Sequence, residues 1–253
     1  MNNEPFVSLD WFIEGLNSAL KNNHIVIIVD TLRFSSAVVT AVAHGFTIYP
    51  ISDQKQGAKF AASISAAISG KPGEARYSLS PLSYLNTSHA HNKRVVLFSP
   101  NGAACAELVK ENNTAYIGCL LNAKSVGEQV SKAANNRMQN VTVIAAGEQQ
   151  AIDTGEKIVY VKKRSRRVFA VEDYLGCGAI ISSMTLSKSP EAEVCESAFK
   201  GSHEKIEELL LASWSGEYLV QHHLVDDVKH AAQLNRYDVV PVIRDGKIEE
   251  WGR

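Results

Sequence analysis

Residues Ile25–Val42 read IVIIVDTLRFSSAVVTAV. The β-branched apolar run Ile25–Val29 predicts a strand buried on both faces. A polar turn, Thr31–Ser36, carries Arg33 and leads into small apolar residues suited to a helix. Strand, polar loop and helix in that order form the unit from which doubly wound α/β folds build their sites. The loop places a carboxylate (Asp30), a guanidinium (Arg33) and the hydroxyls of Thr31, Ser35 and Ser36 at a strand end. That set suits a metal-bound phosphate better than it suits packing.

The same unit recurs downstream. Strands are predicted at Phe46–Pro50, Arg94–Phe98, Ala115–Gly118 and Val141–Ala145, and helices at Ser36–Ala43, Asp53–Ser69, Ala103–Lys110 and Ala123–Ala134. Upstream, Ser8 or Asp10 caps an expected helix Trp11–Leu20. Beyond Gly147 the rhythm lapses into a polar stretch, in which Lys157–Val161 suits an edge strand or hairpin. A helix follows at Val171–Met184, then a polar stretch to about Ser202, a helix Glu204–Trp214 and a short run Tyr218–His223. The tail, Val239–Ile243 and Lys247–Trp251 around Asp245-Gly246, reads as a terminal hairpin. The expected architecture is a three-layer α/β sandwich, with a mostly parallel sheet and helices on both faces. No linker divides the chain, and residues 1–253 are taken as one domain.

Bulk composition narrows the function classes. The chain has 253 residues, 45% apolar and 21% charged, with net charge −1, so its average surface lacks the basic signature of a nucleic-acid binder. The cysteines at 105, 119, 177 and 195 form no C-x-x-C pair and no zinc pattern with histidine, which suits a reducing cytoplasmic setting. No basic-then-apolar leader opens the sequence, and no apolar run approaches the roughly 20 residues of a membrane span.

In open α/β sheets ligands bind beyond the carboxyl ends of the parallel strands. The residues following the predicted strands are Asp30, Arg33, Ser35 and Ser36, then Asn101 and Gly102, then Asn122, then Gly147 and Glu148. Gly73-Glu74 from an irregular loop and Glu172-Asp173 from a helix start join them. Carboxylates gathered in one place repel one another unless a cation lies between them, and an all-oxygen set suits Mg²⁺. Mg²⁺ bridging a few carboxylates to a phosphate is the arrangement of phosphoryl chemistry. Backbone N–H groups at Asn101-Gly102 and Gly147, next to expected helix starts, are candidate phosphate donors. The P-loop, G-x-G-x-x-G and G-x-S-x-G signatures are absent, as is the second aspartate of a D-x-D phosphatase start.

The order of these segments resembles the 2-phosphosulfolactate phosphatase (ComB) family. Asp30-Thr31-Leu32-Arg33-Phe34-Ser35-Ser36 is similar to its D-V-L-R-A-T-T, Gly73-Glu74 to G-E-R, and Ser80-Pro81-Leu82-x-Tyr84 to N-S-P-x-x-Y. Ser99-Pro100-Asn101-Gly102 is similar to T-T-N-G-T, Gly118–Ala123 to G-S-F-L-N-A, Ala145-Ala146-Gly147 to C-A-G, and Val171-Glu172-Asp173 to L-E-D. The tail Asp238–Val242 also fits, so the likeness runs over nearly the whole chain. The chain departs from the pattern at Ala75-Arg76-Tyr77, at Leu79, which takes the place of an asparagine, and in a lengthened segment before Glu172.

The resemblance implies a Mg²⁺-dependent phosphatase acting on phosphate esters of 2-hydroxy carboxylic acids, the named substrate being 2-phosphosulfolactate on the route to coenzyme M. It implies Asp30 and Arg33 as catalytic residues. Asp30, Glu74, Glu172 and Asp173 become metal-site candidates, and Ser35, Ser36, Asn101, Gly102, Asn122 and Gly147 substrate contacts. The expected partner is a small anionic phosphorylated substrate, without nucleic acid or membrane, and a homo-oligomer is compatible with this reading. A second function class stays open: a non-catalytic module that binds a phosphorylated ligand without turning it over.

Other features have plainer readings. The basic run Lys162–Arg167 fits a solvated strand or loop, or a flap that draws an anionic substrate inward. It lacks the interleaved aromatic residues of a single-strand nucleic-acid platform. His89, His91, His222 and His223 match no helical ligand spacing, and the cysteines read as packing residues.

Overall fold

The computed structural model describes residues 4–85, 87, 92–151 and 165–252. Its elements run β1 (Phe6–Trp11), α1 (Phe12–Lys21), β2 (Ile25–Val29), α2 (Phe34–Ala43), β3 (Thr47–Ile51), α3 (Gln54–Ser63), β4 (Ala67–Ile68) and β5 (Arg94–Phe98). They continue with α4 (Gly102–Glu107), β6 (Ala115–Ile117), α5 (Ala123–Arg137), β7 (Val141–Ala145), β8 (Glu148–Ala151), β9 (Ser165–Val168) and α6 (Val171–Ser182). The remainder is β10 (Ser187–Lys188), α7 (Pro190–Ser202), α8 (Ile206–Leu211), α9 (Trp214–Gln221), α10 (Val225–Ala231), β11 (Pro241–Arg244) and β12 (Lys247–Glu250).

Ten strands form one sheet in the order β10-β1-β7-β2-β6-β11-β12-β3-β5-β4, and β8 pairs with β9 in a separate antiparallel ribbon. The pairings are parallel except around the C-terminal hairpin, where β6–β11, β11–β12 and β12–β3 are antiparallel. Because strand side chains alternate, β2 divides its residues between two cores. Ile25, Ile27 and Val29 meet Val126, Val130, Ile180 and Cys195 of α5, α6 and α7 on one face. Val26 and Ile28 meet Leu16 of α1, Val38 and Ala41 of α2 and Ala103 of α4 on the other. The expected three layers are present.

The sheet is strongly curled. Four strands lie between β2 and β5 in its order, a separation of roughly 24 Å if it were flat. Yet the Gly102 N–H that follows β5 donates to Asp30 Oδ2, just beyond β2, at 2.7 Å. The curl encloses α2, in which nine of ten residues are buried. A helix that is apolar all round belongs inside, and FSSAVVTAVA has that character.

Several elements differ from the sequence reading. Phe6–Trp11 is a strand, because Val7, Leu9 and Trp11 face the core with period two before the helix begins. The helix expected over Asp53–Ser69 stops at Ser63, and the chain turns into the short β4. The polar stretch before Ser202 is largely α7, with Ser189 accepting from the Ala192 N–H as its cap. The segment Glu204–Trp214 is broken at Ser213, which caps a separate helix α9 by accepting from the Gly216 N–H. The terminal hairpin forms as expected, with Asp245 and Gly246 both at positive φ as its tight turn requires. It lies inside the sheet, joining β6 to β3.

The run Lys157–Val161, Lys162–Arg164, His89 and His91 lie outside the described residues. Among the described residues, no helix is long and apolar enough to cross a membrane. The four cysteines are buried and unpaired. Burial pushes the thiols of Cys105, Cys119 and Cys195 up to about 12, which suits packing better than nucleophilic chemistry.

Candidate active site

The carboxyl ends of β2, β5 and β7 converge on the amino end of α6, and loop carboxylates tie them together. Asp30, just past β2, accepts from the Gly102 N–H at 2.7 Å and from the Phe34 N–H at 3.3 Å. Asp173, in the first turn of α6, accepts from the Thr31 N–H at 2.7 Å and from the Gly147 N–H at 2.9 Å. Two buried carboxylates therefore clasp the loops after β2, β5 and β7. Gly147 sits at φ +66°, and a Cβ there would fall 2.1 Å from a Phe12 ring carbon. Only glycine lets the backbone turn its N–H toward Asp173 at this point.

A cavity of about 430 Å³ opens beside this clasp. Asp30, Arg33, Asn101 and Glu148 contribute polar groups to its lining. Asn101 Nδ2 donates to Glu148 Oε1 at 2.8 Å, and Ser215 Oγ donates to Glu148 Oε2 at 3.4 Å. Arg33 is held by Asp227 of α10, Nη1 to Oδ2 at 2.6 Å, while Ser80 Oγ donates to Asp227 Oδ1 at 2.5 Å. One guanidinium is thus fixed at the cavity wall by an aspartate that is itself 2% exposed.

The electrostatics are one-sided. Burial first, and then the neighbouring Glu148, raise the Asp30 carboxyl to about 7. Burial, then Asp30 and Glu172, hold Asp173 well above the usual carboxylate range. Burial also raises Glu172, with the hydroxyls of Ser215 and Ser213 pulling the other way. Asp30, Glu148, Glu172 and Asp173 thus interact as four neighbouring acids, and the nearby Arg33 is already paired with Asp227.

The candidate residues separate into two groups. Asp30, Arg33, Asn101, Glu172 and Asp173 are brought to the site. Glu74 is not: its side chain is 70% exposed beside Lys71. Ser35 and Ser36 have no accessible surface. Ser35 Oγ accepts from the Asp30 N–H at 2.9 Å and Ser36 Oγ donates to the Thr31 carbonyl at 2.8 Å, so they tie the loop and do not face a ligand. Asn122 is equally enclosed, accepting from the Cys119 N–H and donating to the carbonyls of Ile117 and Val239. The N–H groups of Gly102 and Gly147, expected to hold phosphate, are already given to Asp30 and Asp173. Gly147 precedes a strand, β8, rather than a helix.

The sequence reading passed over Asp227 and gave Glu148 no role. Glu148 was visible as the residue after Gly147, whereas Asp227 sits in an acidic helix start with no distinguishing signal. Arg167, from the basic run, lies over the Phe12 ring and pairs with Glu14, so its charge is not offered to the cavity.

The profile of the 2-phosphosulpholactate phosphatase family matches residues 12–246, which include every part of this site. The chain belongs to that family. A protein from Methanothermobacter thermautotrophicus, named a 2-phosphosulfolactate phosphatase, is 28% identical over 223 residues, covering 88% of each chain. A protein from Carboxydothermus hydrogenoformans, named a probable 2-phosphosulfolactate phosphatase, is 28% identical over 239 residues, covering 89% of this chain and 87% of its own. Membership makes the chain a phosphatase-family enzyme whose substrate is a small phosphorylated molecule.

Proposed function

We propose that this protein hydrolyses the phosphate ester of a 2-hydroxy carboxylic acid, the class to which the 2-phosphosulfolactate of its relatives belongs, with Mg²⁺ as cofactor. One observation carries the reading: Asp30, buried and fixed by the Gly102 N–H, lines a cavity together with Glu148 and Arg33. The donors are all oxygen, and their mutual repulsion fits a hard dication. Among the described residues no three acids, histidines or cysteines close on one point. Mg²⁺ takes one or two carboxylates and fills its shell with water and phosphate oxygens, so it needs no such cluster. Asp30 and Glu148 would hold it, with Asp173 and Glu172 adding negative charge behind them. When bound, Mg²⁺ neutralises the phosphoryl oxygens.

The chain's own groups supply the rest. Arg33 stabilises the charge that develops on the transferring phosphoryl group. Asp227 is a positioning residue that keeps the guanidinium in place. Asp30 and Glu148 orient a water whose oxygen attacks phosphorus. The bond from phosphorus to the ester oxygen breaks, the proton given up by the attacking water ends on that oxygen, and inorganic phosphate leaves with the 2-hydroxy acid.

Phosphate release from phosphorylated 2-hydroxy acids, with Mg²⁺ and with chelator, tests the reading. Turnover should require Mg²⁺, and Asp30→Asn should lower kcat by about 100-fold or more in a protein with unchanged circular dichroism. Mg²⁺-dependent turnover of Asp30→Asn close to that of the parent would remove Asp30 from the mechanism.

A further inference from the structure

We infer that the site selects an ester whose third carbon carries an apolar, preferably aromatic, group in place of a sulfonate. This rests on the cavity being the phosphatase site and adds the substituent that its far wall accepts. The apolar lining is Leu32, Leu79, Pro100, Trp214, Tyr218 and Leu219. Trp214 and Tyr218 stand one turn apart on α9, so they share a face, and their rings stack at 6.4 Å and 18°. They are 52% and 50% exposed, a large aromatic surface left in water at the mouth of a cavity. The inner face of the same helix is already satisfied by the buried Ser215, Gly216 and Leu219; on the outer side Tyr218 lies against His222 at 4.1 Å, and both rings still leave half their surface in water.

Charge leads to the same substituent. Among the described residues lining the cavity, Arg33 is the one cation, and Asp227 already holds its Nη1. The Asn101 amide is committed to Glu148. A metal and one guanidinium can serve the phosphate and the carboxylate of a 2-phospho acid. A sulfonate brings a further charge, and among the described residues no second cation lines the cavity to meet it. A flat apolar group instead lies against Trp214 and Tyr218 and removes their surface from water, the usual composition of a small-molecule pocket.

The test compares 2-phospholactate, 2-phosphosulfolactate and 2-phospho-3-phenyllactate by kcat/KM with Mg²⁺. The phenyl ester should be favoured over the sulfonate by about tenfold or more. Trp214→Ala should collapse that ratio through KM, and Trp251→Ala, an exposed tryptophan away from the cavity, should leave it unchanged. Equal rates, or preference for the sulfonate, would overturn the inference. Absence of hydrolysis of all three would instead sink the phosphatase reading, and a parallel fluorescence titration of the same esters still decides the wall. Tighter binding of the phenyl ester, lost in Trp214→Ala, supports it, and equal or absent binding overturns it. A change in sedimentation of Trp214→Ala with unchanged selectivity would make the aromatic pair a contact between copies and overturn it as well.

Discussion

At the scale of single residues, the burial of Asp30 ties the proposed site to stability. Its carboxyl is raised by burial and by Glu148 to about 7 in the fold, against an unfolded value of about 3.9. Between those values the folded chain keeps a proton that the unfolded chain has lost. Asp30 therefore makes the metal-free protein less stable as pH rises from about 4 to about 7, with no further loss above. His230, lowered by burial to about 4, acts in the opposite sense below its ordinary value and masks part of the trend. Comparing Asp30→Asn with the parent cancels the histidine. In chelator, the Tm of the variant relative to the parent should climb between about pH 4 and pH 7, at roughly 2–4 °C per kcal/mol for a chain of this size. A difference that stays flat across that range would mean that Asp30 is ionised throughout. Residue by residue, the sequence made Asp30 and Arg33 visible because a charged pair at the end of an apolar strand has few structural uses. It misassigned Ser35, Ser36 and Asn122 because a polar side chain at a strand end serves equally to tie its own loop, and orientation is decided only by tertiary packing.

Among the elements, α9 has the most demanding position. Ser213 closes its first turn, Ser215 reaches Glu148, and Trp214 and Tyr218 form the apolar wall. The helix packs so tightly on the end of α8 that a Cβ at Gly216 would come within 1.8 Å of the Leu210 carbonyl oxygen. Backbone cannot yield as a side-chain tip can, so Gly216→Ala must displace the helix. The expected cost is about 1–3 kcal/mol in urea unfolding, together with a raised KM as the wall shifts. An unchanged midpoint and KM would show that α9 is free to move and is not held by this contact. None of this was legible beforehand. Ser213-Trp214-Ser215-Gly216 offers a cap residue, but the preceding Leu209-Leu210-Leu211 continues a helical pattern into it. The break comes from Ser213 capping a new helix that packs on the end of α8, which periodicity does not encode. For α2 the signal was present: FSSAVVTAVA has no polar face, and its enclosure follows from that.

The molecule as a whole depends on an element that reads as an appendage. The hairpin β11–β12 is recognisable from Asp245-Gly246 and the alternating residues around it, and a terminal hairpin suggests a sheet edge. Instead it bridges two parallel sets of strands, β10-β1-β7-β2-β6 on one side and β3-β5-β4 on the other. Its antiparallel pairings join the two sets in the curled sheet that carries Gly102 to Asp30, so the loops of the candidate site are brought together through the hairpin. Sequence could not place it, because both neighbours are chosen by long-range pairing. Ile248 is the sensitive point: it pairs with Ile48 of β3 and has no accessible surface. Ile248→Asp sets a carboxylate without a partner into the core beneath α2, and should remove about 3–5 kcal/mol of stability. Because the curl closes through this strand, activity should fall together with the loss of folded protein in a denaturant titration. Ile248→Val, which keeps the pairing and most of the volume, should cost only about 0.5–1.5 kcal/mol and retain turnover. A stable, fully active Ile248→Asp protein would show that the two strand sets are held together by α2 alone.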